Sequence, residues 1–208
     1  MSNPRGFQPP WGAKPAVTDT TTQLIFPKVV AAGFTIKYVR EFVQKFNRGI
    51  TRVIIKMLLT KILRPACIKA PLDGKDKTAV IEELVNSLDT NGLLLDKTAV
   101  LDAVLMREKT RSTGIGSGIA VPHGKCKAVK ELVMAIGIAH EPVDFQSVDG
   151  KPVTIVILLV SPADQTGPHI QALAQISRLM LDEKFKKQLE SAGTAEEVYQ
   201  LLNSKENG

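Results

Sequence analysis

One histidine, His123, follows a proline and a glycine-rich segment in the stretch S-T-G-I-G-S-G-I-A-V-P-H-G, residues 112–124. A neutral imidazole is a nucleophile that can carry a group covalently near pH 7. Pro122 fixes its own φ and biases Val121 toward extended backbone, so the backbone sets the direction of the ring. Glycines leave room for backbone N–H groups to approach an anion. The pattern predicts a site at which a histidine meets a phosphate.

Other chemistries fit this segment less well. Gly114, Gly116 and Gly118 follow a helix-like segment and precede an apolar strand. That order is the reverse of the strand–loop–helix order of a dinucleotide-binding turn. The chain contains no G-x-x-x-x-G-K-[ST] and no G-x-S-x-G motif, so nucleotide binding and serine hydrolysis are poorly supported. On this stretch alone, a structural Pro-His pair in a loop stays open as the alternative.

Two ordered blocks of residues carry a resemblance to a known family. The first runs from Arg107 to Gly116 and continues with P-H-G at 122–124; the second runs from Leu159 to Gln165 and continues from His169 to Leu179. Both resemble enzyme IIA of the bacterial sugar phosphotransferase system, in the fructose/mannitol type that includes nitrogen-regulatory proteins. The resemblance implies an α/β fold, a single domain with a mixed β-sheet flanked by helices and the site at one sheet edge.

The resemblance also implies a role for each site residue. His123 would take a phosphoryl group on its tele (Nε2) nitrogen from a histidine phosphocarrier protein (HPr or NPr) and pass it to a cysteine of an enzyme IIB. His169 matches the second family histidine, which stabilises the phosphoryl group, and Arg107 matches the arginine that contacts it. The expected phosphate loop comprises Thr113, Gly114, Gly116 and Gly118.

The chemistry of phosphoryl transfer agrees with these residue types. The reaction needs in-line positioning and cationic donors around the equatorial oxygens, which an arginine fork supplies well. Between two histidines it requires no nucleotide and no metal, so we expect neither a cofactor nor a metal ion. His140, before Glu141 and Pro142, is expected to be a turn or surface residue at a strand end. A metal site that joins it to His123 and His169 would match no common ligand spacing.

The two cysteines, Cys67 and Cys126, form no C-x-x-C pattern, which favours a reducing, cytoplasmic compartment over a disulfide scaffold. Cys126 lies among lysines and is interpreted as incidental. Those lysines form either a solvated face or a docking surface for an acidic partner: Lys125, Lys127 and Lys130.

Apolar periodicity predicts the elements that position these residues. Helices are expected over 77–89, from a cap at Asp96 to near Arg107, over 183–189 and from a capping box at Thr194 to about 202. Strands are expected over 132–138 and 153–160. Gly167 and Pro168 open a further helix with His169 in its first turn. Its predicted core face consists of Ile170, Leu173, Ala174, Ile176, Ser177 and Leu181.

Charge divides the chain at about residue 57. Residues 1–56 hold nine of the 27 Lys and Arg and two of the 21 Asp and Glu, a net +7; the remaining 18 basic and 19 acidic residues give 57–208 a net −1. We expect a basic N-terminal extension over 1–56, largely disordered or containing one amphipathic helix over 39–54 that touches a membrane or a partner. The alternative is an upstream start that the cell does not use, since family members begin near Met57. Residues 57–208 would form the enzyme IIA domain.

The sequence thus predicts a cytoplasmic phosphotransferase component that acts as a phosphocarrier. No enzyme IIB or transporter segment is recognised within it, so its acceptor is expected to be a separate chain. Nucleic acid is not expected as a partner, and membrane contact is expected to be indirect or through the extension. The alternative function is a nitrogen-type regulatory protein, which is phosphorylated on His123 but acts by binding partner proteins without sugar transport.

Overall fold

The structure, a computed structural model, describes residues 57–208, in which one strand, two helices, five strands and three helices follow a 3₁₀ turn in chain order. The strands are β1 (Leu63–Lys69), β2 (Gly114–Gly116), β3 (Ile119–Ala120), β4 (His123–Lys125), β5 (Val133–Val143) and β6 (Val153–Ser161). The α-helices are α1 (Lys77–Thr90), α2 (Lys97–Thr110), α3 (Thr166–Met180), α4 (Glu183–Glu190) and α5 (Ala195–Asn207), with a 3₁₀ turn at Leu59–Lys61. The predicted extension over 1–56 lies outside the described residues.

Strand β6 organises the sheet. The strand order is β1-β5-β6-β3-β2, and β4 also pairs with β6. β5 runs antiparallel to β6, whereas β3 and β4 run parallel to it and β1 runs parallel to β5. All nine residues of β6 except Thr154 are buried, as a near-continuous apolar run predicts for a strand covered on both faces. The expected mixed sheet flanked by helices is confirmed.

The histidine strand β4 lies at the edge of this sheet. β3 pairs with the first half of β6, through Ile119 and Ile155, and β4 pairs with the second half, through His123 and Leu159. Pro122 separates the two short strands because it cannot donate to a ladder, although its carbonyl accepts from Leu159 at 3.0 Å. This interruption places His123 at the start of a new strand.

Helix α2 packs directly on β4 because Gly124 has no side chain. A Cβ at Gly124 would lie 3.0 Å from Cγ2 of Val104 and 3.2 Å from its backbone nitrogen. The buried face of α2 consists of Val100, Val104 and Glu108, and its N-terminus is capped by Asp96, as predicted. Since Arg107 follows Val104 by three residues, about one turn, this close packing carries Arg107 toward His123.

Two features of the predicted elements are corrected. Strand β5 continues to Val143, beyond the predicted end at Ile138. The predicted core face of α3 is only partly right: Ile176 is buried and Leu173 packs against the core, whereas Leu181 lies beyond the end of the helix and is exposed. Apolar periodicity failed because the buried face includes two polar residues. The buried residues are His169, Ala172, Gln175, Ile176, Leu179 and Met180.

We predict that Gly124→Ala lowers the free energy of unfolding by about 1–3 kcal/mol, because the new methyl group pushes α2 away from β4. Urea unfolding measures the change. Gly167→Ala is the matched control, since a Cβ there would meet no atom within 4 Å. Equal stability of the two variants would contradict the close packing of α2 on β4.

Candidate active site

The His123 ring is oriented by a backbone carbonyl. Its Nδ1 lies 2.8 Å from the carbonyl oxygen of Val121. A carbonyl only accepts hydrogen bonds, so Nδ1 carries the proton and donates it. In the neutral ring the lone pair available for bonding is therefore on Nε2. The ring is partly exposed at the sheet edge, which leaves Nε2 as the nitrogen able to act as a nucleophile.

His169 lies beside His123, although the two are far apart in sequence. Their ring centroids are 5.6 Å apart and their planes are tilted by 57°. His169 lies in the first turn of α3 and is only 3% exposed. Its Nδ1 is 2.8 Å from Oγ of Ser161, the last residue of β6. The end of β6 and the start of α3 thus hold the second imidazole against the first.

Both imidazoles are held in the neutral form. Burial lowers the pKa of His123 to about 4; its bond to Val121 and the charge of Glu108 oppose this shift, while Arg107 and Lys125 add to it. Burial lowers the pKa of His169 to about 3, and His123 and Lys125 contribute in the same direction. The first ring is therefore an unprotonated nucleophile at neutral pH.

Two cations flank the histidines. Arg107 Nη1 donates to the carbonyl oxygen of Arg111 at 2.9 Å, which ties the guanidinium to the end of α2; within residues 57–208 its other N–H groups make no hydrogen bond. Lys125 Nζ donates to Oγ1 of Thr166, at the start of α3, at 2.9 Å. Sequence reasoning placed Lys125 only in a basic cluster. Its spacing from His123 was a usable signal, because residues i and i+2 of a strand share a face.

The hydrogen-bonding groups of Thr113 are engaged by neighbouring residues of the fold. Its backbone N–H and its hydroxyl both donate to the buried carboxylate of Glu108, which also pairs with Lys77 at 3.2 Å. Its carbonyl accepts from Val121 N at 3.1 Å. Thr113 therefore supports Val121, the residue that orients His123, and its donors are already engaged by Glu108.

The structure does not bring the predicted phosphate-loop glycines to His123. Gly116 and Gly118 adopt φ values of +92° and +79° in the tight turn between β2 and β3. The carbonyl of Gly118 accepts from Ile155, whereas His123 pairs with Leu159, about 13 Å further along β6 at 3.3 Å per residue. A Cβ at Gly114 would lie 2.5 Å from Ser147 Oγ, so this glycine permits a close approach of two segments. Chain geometry is sufficient to account for the glycines at these positions.

The third histidine, His140, and the two cysteines are not part of the histidine pair. His140 is exposed on β5 beyond the Ile138–Ile155 pair, toward the opposite end of β6 from His123. Both cysteines are free thiols, and burial raises the pKa of Cys67. Across 57–208, no three His, Cys, Asp or Glu side chains cluster closely enough to hold a metal ion. None of the helices in this part of the chain is long and apolar enough to span a bilayer.

A mixed sheet with His123 on an edge strand and His169 beside it on α3 fits the class of enzyme IIA-type phosphocarriers. The sequence profile of one family, "Phosphoenolpyruvate-dependent sugar phosphotransferase system, EIIA 2", matches residues 61–205. The chain belongs to this family and is a phosphocarrier component of the phosphotransferase system.

Relatives named as sugar-specific components of the phosphotransferase system and relatives named as nitrogen regulatory proteins match the same part of the chain. The chain is 36% identical over 147 residues to the fructose-specific EIIABC component of Bacillus subtilis, covering 71% of this chain but only 23% of that protein. It is 32% identical over 151 residues to the nitrogen regulatory protein of Escherichia coli, covering 71% of this chain and 91% of that protein.

A solved structure supports the same fold. The crystal structure of nitrogen regulatory protein IIA-Ntr from Neisseria meningitidis is similar, with a TM-score of 0.66 and 32% sequence identity. The match covers 70% of this chain and 99% of that one. IIA mannitol from Escherichia coli is 25% identical with a TM-score of 0.58, covering 67% of this chain and 97% of that one.

We predict that the His123 and His169 rings stay neutral at about pH 5, because burial favours the uncharged imidazole. Nitrogen-15 NMR of the imidazoles measures this directly. His140→Ala identifies the signal of the exposed histidine, and His123→Ala then distinguishes the signals of the other two. A midpoint between about pH 6 and 7 for His123, near the free value, would contradict the prediction.

The same shifts predict an acid-sensitive fold. The folded pKa values, about 4 and about 3, lie below the ordinary 6.5, so the unfolded state binds more protons as the pH falls. The stabilisation is complete above about pH 6.5 and is lost as the pH falls toward these folded values. Urea unfolding across this range, with the His123→Ala protein for comparison, should show a smaller loss in the variant.

Proposed function

We propose that His123 Nε2 accepts a phosphoryl group from a histidine phosphocarrier protein and passes it to a cysteine thiolate of a separate enzyme IIB. One observation carries the proposal: the 2.8 Å bond between His123 Nδ1 and the Val121 carbonyl. It holds the proton on Nδ1 and leaves the Nε2 lone pair free on a neutral, partly exposed ring. Tele phosphorylation follows from that arrangement.

The proposed transfer balances without another reactant. The Nε2 lone pair forms a P–N bond as the P–N bond of the donor phosphohistidine breaks. The proton stays on Nδ1, hydrogen-bonded to the Val121 carbonyl, throughout. In the second step a thiolate forms a P–S bond, and Nε2 recovers its lone pair. The transfer moves no proton. The site must instead stabilise the charge of the phosphoryl group during transfer.

The positive charges near His123 complement the negative charge of an incoming phosphoryl group. A phosphoryl group adds negative charge to a site where the positive charges of Arg107 and Lys125 act on the neutral His123 ring, and that of Lys125 also acts on His169. The free N–H groups of Arg107 are suited to the equatorial oxygens, and His169 is placed to donate a further hydrogen bond. The N-terminus of α3, which carries His169, favours an anion in the same place.

The acceptor has two candidate classes. The fructose-specific relative is named as a transport component, which favours an enzyme IIB cysteine as the acceptor. The nitrogen regulatory relatives match over nearly their whole length, which favours phosphorylation-dependent binding to a regulated partner. The proposed compartment is the cytoplasm, where an acceptor thiol stays reduced.

We predict that His123→Ala abolishes phosphoryl acceptance, because no other group in the site offers an oriented lone pair. Arg107→Lys and His169→Ala should slow transfer by about tenfold or more, since each removes an oriented donor to the phosphoryl group. Phosphoenolpyruvate, enzyme I and the phosphocarrier supply the label, which is followed by intact mass. His140→Ala is the matched control and should be labelled at the normal rate.

A chase with candidate enzyme IIB proteins distinguishes the acceptors. Label that moves to an enzyme IIB cysteine indicates a transport relay. Label that stays on His123 with every candidate indicates the regulatory function. Undiminished labelling of the His123→Ala protein would overturn the proposed site.

A further inference from the structure

The buried hydroxyl of Ser161 contacts His169, the second histidine of the site. Ser161 ends β6 and is fully buried, and its Oγ lies 2.8 Å from Nδ1 of His169. Within residues 57–208 this hydroxyl makes no other hydrogen bond. Its backbone is fixed by pairing with Lys125 and by accepting from Cys126 N at 3.1 Å. The hydroxyl therefore has little freedom to turn to another partner.

Hydrogen-bond accounting distinguishes the two neutral tautomers of His169. If Nδ1 has no proton, the Ser161 hydroxyl donates to it, and both groups are satisfied. If Nδ1 carries the proton, the hydroxyl accepts, and its own hydrogen is buried without an acceptor in the described region. Leaving a buried donor unpaired is costly, so the first arrangement is favoured.

We propose that Ser161 is a positioning residue that donates to Nδ1 of His169 and thereby holds this ring in its Nε2–H tautomer. The Nε2–H is then the group available to donate to a phosphoryl oxygen on His123. This inference rests on the proposed function for its consequence, whereas the tautomer itself does not. Burial keeps the ring neutral, so the choice between tautomers exists at neutral pH.

The two imidazoles then carry their protons on opposite ring nitrogens, and a different hydrogen-bond partner decides each case. The Val121 carbonyl can only accept, so it places the His123 proton on Nδ1 and the lone pair on Nε2. The Ser161 hydroxyl can donate, so it places the His169 proton on Nε2. One ring presents a nucleophile and its neighbour presents a donor. Phosphoryl transfer needs both at one site.

Nitrogen-15 NMR of the unphosphorylated protein tests the assignment without any transfer reaction. The wild-type protein should show His169 in the Nε2–H form and His123 in the Nδ1–H form. Ser161→Ala should move His169 toward a mixture of tautomers, and Ser161→Thr, which keeps the hydroxyl, should restore the Nε2–H form. Ser87→Ala is the matched control, since it removes a buried hydroxyl that bonds within α1. An Nδ1–H form of His169 in the wild-type protein would overturn the proposal.

Transfer rates test the consequence. We expect Ser161→Ala to slow phosphoryl transfer through His123 by about three- to tenfold, with Ser161→Thr and Ser87→Ala near the wild-type rate. If the wild-type protein is not phosphorylated, the proposed function fails while the tautomer measurement still decides the role of Ser161. If the wild-type protein is phosphorylated and Ser161→Ala matches it in rate and tautomer, the positioning role is wrong. Should Ser161→Thr prove unstable by thermal unfolding, Ser161→Cys supplies a second donor of similar size.

Discussion

The pairing of β6 with three other strands is the constraint on which the rest of the structure depends. Its antiparallel ladder with β5 forms the centre of the sheet, and its other edge carries β3 and then β4. The position of His123 is therefore a register position opposite Leu159, and Ser161 lies two residues further on the same strand. A strand buried on both faces is rigid, so both histidines inherit their geometry from it.

The site combines low polarity with nearby positive charge. Burial keeps both rings neutral, and the charges of Arg107 and Lys125 lower the pKa of His123 further. A protonated ring would be unfavourable there, whereas a negatively charged group would be favoured. The same arrangement keeps the His123 ring neutral and, in the proposed transfer, would stabilise the phosphoryl group. The cost is a fold that loses stability in acid.

Much of the fold could be predicted from periodicity, and much of the chemistry could not. Helices α1 and α2 and the centre of the sheet followed from apolar spacing, and the Pro-His motif indicated His123 as the candidate reactive residue. The glycines were ambiguous in the sequence, because a positive φ at a tight turn and an anion cradle favour the same residue type. The inward face of α3 was missed because His169 and Gln175 are polar, and hydropathy assigns polar residues to the surface.

The sequence by itself determined the family and the α/β class, and it pointed to the candidate residues for phosphoryl transfer. Only the tertiary structure decided which nitrogen of each ring holds a proton. That choice depends on the Val121 carbonyl for His123 and on the Ser161 hydroxyl for His169. Hydrogen bonds are directional and short-ranged, and the bond to His169 joins the end of a strand to the first turn of a helix. Residue spacing in the sequence does not predict this contact, because it forms only when α3 packs against β6.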